Sequence, residues 1–276
     1  MKEVIAAGSR LPTDGICSTL HWSRRAVNLE FGGRVMTLMD RDGILMPSSV
    51  ILDTDSFDCI GSALFDGREF ISENLSFTVS ATTDLRVHCS SEPDVSRIYD
   101  SLLPYLSRRE RSISSALLSV FGCGVARPAD ALERAVFEDQ RAVLSSRRSV
   151  ADVACGLLGK GFGLTPSGDD FTEGVIAVFN MLRLDTGRIR AAAGAYGNAF
   201  SRTILLDALD GFYPLPLQGL IQSLLDGRDA AQNAEKLLQT GHTSGMDTLS
   251  GMVYALLRLK ASGGRALRPI HHHFPL

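Results

Sequence analysis

The sequence contains no uninterrupted apolar run approaching the roughly 18 residues of a helical membrane span, and its start lacks the charged-then-apolar pattern of a secretory signal. The expectation is a cytoplasmic chain with no membrane partner. Charge of one sign is equally lacking: 28 Lys and Arg against 31 Asp and Glu leave a formal net charge of −3. Such a balance provides no basic field for wrapping a phosphate backbone, and the one dense basic cluster, Arg108 to Arg111, is short and interrupted by Glu110. Nucleic acid is therefore excluded as the main partner. Cysteine is scarce and scattered: Cys17, Cys59, Cys89, Cys123 and Cys155 never form a C-x-x-C pair, so free, mostly buried thiols are expected. Histidine is no richer, since His21 and His88 stand alone, His271 to His273 lie at the C-terminal end, and His242 alone has an informative context. There is neither a P-loop nor a Met-Lys-Met biotin attachment motif.

What remains is an ordinary globular composition, 45% hydrophobic and 21% charged over 276 residues, long enough to bury a core without disulfide or metal staples. The first ninety or so residues read as strands. Val27 to Phe31, Gly32-Gly33 and Arg34 to Leu38 form a hairpin pattern, because only residues tolerant of positive φ suit a two-residue primed turn. A second hairpin is expected over Ile60 to Ile71, turning at Asp66-Gly67, with further strands at Leu75 to Val79 and Leu85 to His88.

Near Glu92 the texture becomes Leu- and Ala-rich with helical spacing. Helices are predicted over Ala129 to Leu144, with Pro128 in the first turn, and over Ser149 to Leu158, Asp169 to Leu182, Arg188 to Leu209, Leu217 to Leu225, Ala230 to Leu238 and Met246 to Leu259. The fold class expected is α+β. A β-rich domain over 1–92, an antiparallel sheet or small barrel, precedes a mostly helical domain over 93–276 that carries an internal duplication.

The duplication is legible in two segments. Lys160-Gly-Phe-Gly-Leu-Thr-Pro-Ser-Gly-Asp-Asp170 is a Gly-rich loop opening a helix, with Ser167 placed to cap it. Ser167-Gly168-Asp169-Asp170 with Gly174 then recurs as Ser244-Gly245-Met246-Asp247 with Gly251, at a constant offset of 77 residues. A glycine one turn inside each helix costs roughly 1 kcal/mol relative to alanine. Its recurrence implies that the two helices cross closely there, bringing both Ser-Gly-x-Asp starts together.

In that arrangement Ser167, Gly168, Ser244 and Gly245 would offer hydroxyl and backbone donors to an anion. Lys160, Gly163, Thr165, Asp169 and Thr243 would line the site, and Asp170 and Asp247 would orient an amide or, for Asp169 and Asp170, bind Mg²⁺. The alternative is that the glycines serve packing and the Ser and Asp residues are helix caps.

Gly161-Phe-Gly-Leu-Thr-Pro-Ser-Gly-Asp-Asp170 followed by Gly241-His-Thr-Ser-Gly-Met-Asp247 resembles the AllH-like family, a bacterial domain family of unknown function. The run from His21 through Arg24-Arg25-Ala26-Val27-Asn28-Leu29, and Pro47-Ser48-Ser49, are similar to that family's opening. The resemblance implies an enzyme or subunit linked to oxamate carbamoyltransferase in allantoin nitrogen catabolism, working beside other subunits; a carboxylase label has also been attached to such proteins. Oxamate, oxalurate and carbamoyl phosphate are small anions of the kind helix N-termini hold.

Carbamoyl transfer passes through a tetrahedral oxyanion, so fixed donors matter more than a protein nucleophile. His242, Asp170 and Asp247 are the catalytic candidates, with His242 as acid or base. Two rival readings of the sequence remain. One is an Mg²⁺-dependent nucleotide or phosphoester enzyme, and the other is a non-catalytic structural or metabolite-sensing subunit.

Overall fold

The structure, a computed structural model, describes residues 1–88, 93–106, 113–122, 128 and 130–262. The chain forms two compact units, one of Met1–Val87 with Tyr196–Gln218 and one of His88–Ala195 with Gly219–Leu276.

The first unit is built on eight strands: β1 (Val4–Ala7), β2 (Gly15–Trp22), β3 (Ala26–Phe31), β4 (Arg34–Met39), β5 (Ser49–Leu52), β6 (Ser62–Phe65), β7 (Glu69–Ser72) and β8 (Ser76–Thr78). Their spatial order is β1-β5-β4-β3-β2-β6-β7-β8. The two edges approach one another, since Lys2 N–H donates to Ser76 O at 2.8 Å and Thr83 N–H donates to Ala7 O at 2.7 Å. The sheet is thus a nearly closed barrel, which leaves little edge unpaired.

The β3–β4 hairpin turns at Gly32 and Gly33, with φ of 54° and 89°, and pairs Phe31 with Arg34 as the sequence requires. The β6–β7 hairpin turns at Asp66-Gly67, where Asp66 Oδ1 accepts from the N–H groups of Arg68 and Glu69 at 2.8 and 2.6 Å. All strand pairs are antiparallel except β4 with β5, which run parallel. Val27, Leu29, Phe31, Leu38, Val50, Phe65 and Phe70 fill the interior, where Phe70 stacks on Phe77 with ring centroids 4.8 Å apart. Leu85 to His88 is not a strand of this sheet; Val87 N–H reaches Gly211 O instead, and Arg86 bridges Phe212.

The helices are α1 (Val95–Leu106), α2 (Ile113–Val120), α3 (Ala131–Leu144), α4 (Val150–Leu157), α5 (Ser167–Met181), α6 (Gly187–Gly194), α7 (Ala199–Leu209), α8 (Leu215–Leu225), α9 (Ala231–Leu238) and α10 (Ser244–Ser262). Three expectations are corrected. The single helix expected over Arg188 to Leu209 is α6 and α7, broken around Gly197 because Asn198 caps α7 by accepting from Ser201 N–H at 3.1 Å. Pro128 precedes α3 rather than opening it, since Asp130 is the N-cap and accepts from Glu133 N–H. Ser167 is the first residue of α5, not its cap; Pro166 holds that position and no side chain caps this end.

α7 belongs with the barrel. Val35 N–H donates to Thr203 Oγ1 at 2.9 Å, so β4 is buried on both faces. Asp207, 2% exposed, accepts from Arg34 and Ser48, each at 2.7 Å, and from Arg10 at 3.2 Å. In the second unit α5 is the central element, buried at every residue from Ser167 to Phe179, and a helix so enclosed must be apolar on all sides or carry its polar groups for a purpose.

Among the described cysteines Cys17 is buried, Cys155 partly so and Cys59 exposed, all as free thiols. Cys89, Cys123, Arg108 to Arg111 and His271 to His273 lie outside the described residues. No helix among the described residues is long and apolar enough to cross a membrane.

Candidate functional site

The two Ser-Gly-x-Asp segments occupy equivalent places in two helix–loop–helix pairs, α4–α5 and α9–α10. In the first, Lys160 N–H donates to Leu157 O and Gly168 N–H to Lys160 O, both at 2.9 Å. In the second, Thr240 N–H donates to Leu237 O at 2.9 Å and Gly245 N–H to Thr240 O at 3.1 Å. A Cβ added at Gly168 would sit 1.8 Å from Leu157 O, and one at Gly245 would sit 1.8 Å from Leu237 O. Each loop can therefore return against its own preceding helix only where the second residue of the new helix is glycine.

α5 and α10 then cross with pseudo-two-fold symmetry. A Cβ at Gly174 would lie 1.9 Å from Thr248 O, and one at Gly251 would lie 2.0 Å from Phe171 O. Phe171 and Thr248 are themselves related by the 77-residue offset. Backbone on backbone at that distance is possible only for glycine, which explains why both copies keep a residue unfavourable within a helix.

The crossing joins the two helix starts. Thr165 Oγ1, from the first loop, lies 3.5 Å from Ser244 Oγ at the head of α10. Next to this contact lies a group of buried carboxylates. Asp169 accepts from Gly159 N–H at 2.8 Å, and Asp247 accepts from Ile113 N–H, at the head of α2, at 3.2 Å. Asp170 and Glu173 are 6% and 5% exposed, and their Oδ2 and Oε1 atoms have no hydrogen-bond partner among the described residues. Glu173 Oε2 accepts from Thr248 Oγ1 at 3.4 Å.

Burial, reinforced by the charges of Asp247, Glu173 and Asp169, holds Asp170 well above the ordinary carboxylate range, while the Ser244 hydroxyl works in the opposite direction. Burial also pushes Glu173 up to about 7, against a smaller lowering by Thr248. Glu173 so placed titrates near neutrality, and both acids, each shifted upward by burial, are suited to accepting or delivering a proton. No group of three or more His, Cys, Asp or Glu among the described residues is arranged to hold a metal ion.

A family model described as oxamate carbamoyltransferase subunit AllH matches residues 157–256. The matched region is AllH-like. No solved structure matches the chain.

The AllH-like region runs from the last residue of α4 into α10 and so contains both helix starts and the crossing. Within it the structure brings Thr165 against Ser244, and Asp170 beside Ser244, Asp169 and Asp247, while Ser167, Gly168 and Gly245 are their chain neighbours at the two helix starts. Thr243 lies at the head of α10, where its carbonyl accepts from Asp247 N–H at 2.9 Å. Gly163 and His242 are exposed in the two loops.

Two expected roles are not met. The Lys160 ammonium pairs with Asp139 of α3, and Lys160 O accepts from Gln140 at 3.1 Å, so this residue ties the loop to α3. The N–H groups of Gly168 and Gly245 close their own loops rather than standing open to an anion, because a tight return after a helix uses the nearest donors. Glu173 and Thr248 join the site unforeseen. The signal for Glu173 was an acidic residue in a largely apolar, Gly-containing helical stretch, Phe171-Thr172-Glu173-Gly174-Val175-Ile176; Thr248 had none.

Proposed function

We propose that this chain is a subunit of a carbamoyltransferase that binds a small anionic substrate, oxamate, oxalurate or carbamoyl phosphate, at the paired starts of α5 and α10. The observation that carries the reading is the meeting of the two copies at Thr165 and Ser244, beside Asp170, inside the region matched by the carbamoyltransferase-subunit family.

When a carbamoyl group passes from phosphate to the amide nitrogen of oxamate, a new N–C bond forms, the C–O bond to phosphate breaks, and the nitrogen loses one proton. Asp170 is the base for that proton: its raised affinity for protons matches it to an amide nitrogen better than an ordinary surface carboxylate would. Asp247, held by the head of α2, is its symmetry-related partner and fixes the second side of the site. The hydroxyl of Thr165 and the exposed His242 supply donors for the anionic end of the substrate and for the oxyanion that forms on the carbamoyl carbon, while Ser244 holds Asp170. Other subunits of the enzyme complete the assembly.

A thermal-shift titration of the purified full chain with oxamate, oxalurate, carbamoyl phosphate, inorganic phosphate and ATP, each with and without Mg²⁺, tests this reading, because a ligand bound only by the native state raises its stability. Oxamate or carbamoyl phosphate should raise the midpoint, and Asp170→Asn should abolish the rise. A rise with ATP that requires Mg²⁺ would favour a nucleotide enzyme instead, and no rise with any of the five would overturn ligand binding by this chain alone.

A further inference from the structure

The pseudo-symmetry of the site does not extend to all its acidic residues, since Asp169 has Met246 as its counterpart. Each copy contributes an aspartate, Asp170 and Asp247, but Glu173 on α5 has Ser250 as its counterpart on α10. The serine is satisfied, since Ser250 Oγ donates to Met246 O at 2.7 Å. The glutamate is not. Glu173 Oε1 is buried with no partner among the described residues, and the same holds for Asp170 Oδ2 one helical turn before it.

Residues three apart on a helix share a face, with Cβ atoms roughly 5–6 Å apart, and the two side chains are close enough for the Glu173 charge to act on Asp170. A buried acceptor left empty is costly unless something fills it. The backbone does not fill it, because the neighbouring N–H groups of Gly168, Asp169 and Asp170 are all given to Lys160 and Pro166 carbonyls. The buried end of the site, around Asp170 and Glu173, is thus short of donors and has two acceptors to spare, the reverse of an oxyanion hole.

Resting on the reading above, we infer that Asp170 and Glu173 together recognise the NH₂ group of a primary amide, each unpartnered oxygen accepting one of its two N–H groups. The ligand enters past Thr165 and Ser244 with its amide end inward and its anionic end toward the exposed His242. Among small anions, the site therefore selects by the nitrogen. Oxamate and carbamoyl phosphate carry the required NH₂; pyruvate and acetyl phosphate match them in shape and charge but carry a methyl group there, which would leave both carboxyl oxygens buried and empty. A site that hydrogen-bonds a buried N–H rejects the analogue lacking it far more strongly than it rejects a mere change of size. Glu173 acts as a specificity determinant, set behind Asp170 and steadied by Thr248.

Calorimetric titration of the full chain with the matched pairs oxamate and pyruvate, and carbamoyl phosphate and acetyl phosphate, tests the inference without any substitution. Each amide should bind roughly 100-fold or more tightly than its methyl partner. In Glu173→Leu, whose folding is checked by its melting midpoint, the preference for oxamate over pyruvate should fall at least about tenfold, with pyruvate affinity little changed. Equal affinity within both pairs would overturn this inference and leave the proposed function standing. An unchanged preference in a folded Glu173→Leu would remove Glu173 from it. Binding of none of the four compounds would overturn the proposed function first and this inference with it.

Discussion

Glu173 couples the site to pH. Its carboxyl ordinarily titrates near 4.5 and is pushed up to about 7 by burial. Below about pH 4.5 it is protonated in the folded and the unfolded chain alike, and its burial carries no ionic penalty. Between about 4.5 and 7 only the folded chain keeps the proton, so stability falls as pH rises, and above 7 the full penalty, on the order of 3 kcal/mol, is present. Asp170, shifted in the same direction, steepens the fall. Denaturant unfolding followed from pH 4.5 to 8 should show this slope, and Glu173→Gln should flatten it and be the more stable protein at pH 8. A parallel pair of curves would mean that Glu173 does not hold its proton in the folded state. The sequence disclosed Asp170 and Asp247 through their repeat, whereas Glu173 was hidden because it belongs to one copy alone and has no echo to point to it.

At the scale of the element, the crossing of α5 and α10 stands on two glycines. Gly174→Ala or Gly251→Ala places a methyl group within about 2 Å of a backbone oxygen, and since backbone cannot step aside as a side chain does, each should cost at least about 3 kcal/mol, read by denaturant unfolding. Gly194→Ala, in α6 with nothing within 4 Å of the new Cβ, should be neutral or mildly stabilising. If all three behaved alike, close approach would not be the reason for the repeated glycine.

This crossing was legible in the sequence because the steric need of glycine survives in both copies at one offset. The hairpins at Gly32-Gly33 and Asp66-Gly67 were legible for a similar local reason, the positive φ of their turns. What escaped depends on partners distant in sequence. β1 and β5 are four residues each and gain their order from pairing with one another. The Gly168 and Gly245 amides look open to a ligand until the loops are seen to fold back on them. The break between α6 and α7 depended on a single Asn cap within a continuous helical pattern.

For the whole molecule, the chain leaves the barrel, builds much of the helical unit, and returns through Tyr196–Gln218 to finish the barrel. Asp207 of α7 is the anchor of that return. Its carboxylate takes hydrogen bonds from Arg10, Arg34 and Ser48, and Arg10 also reaches Asp210 at 2.6 Å. Both arginines are about a third exposed, so water will compensate part of the loss. Asp207→Ala should still destabilise the barrel unit by about 2–3 kcal/mol, visible as faster hydrogen exchange in β4 and around Ser48. No change there would show that α7 is held by its apolar face alone. Nothing local marks Asp207 for this role, since its three partners stand more than 150 residues earlier in the chain.

The central claim is that ligand binds where the two copies meet. Hydrogen-exchange mass spectrometry of the full chain with and without saturating oxamate tests it most directly, because it reports the place as well as the fact of binding. Slower exchange confined to residues 159–170 and 240–247 is the expected result. Protection elsewhere, in the barrel strands for example, with these two segments unchanged, would contradict it.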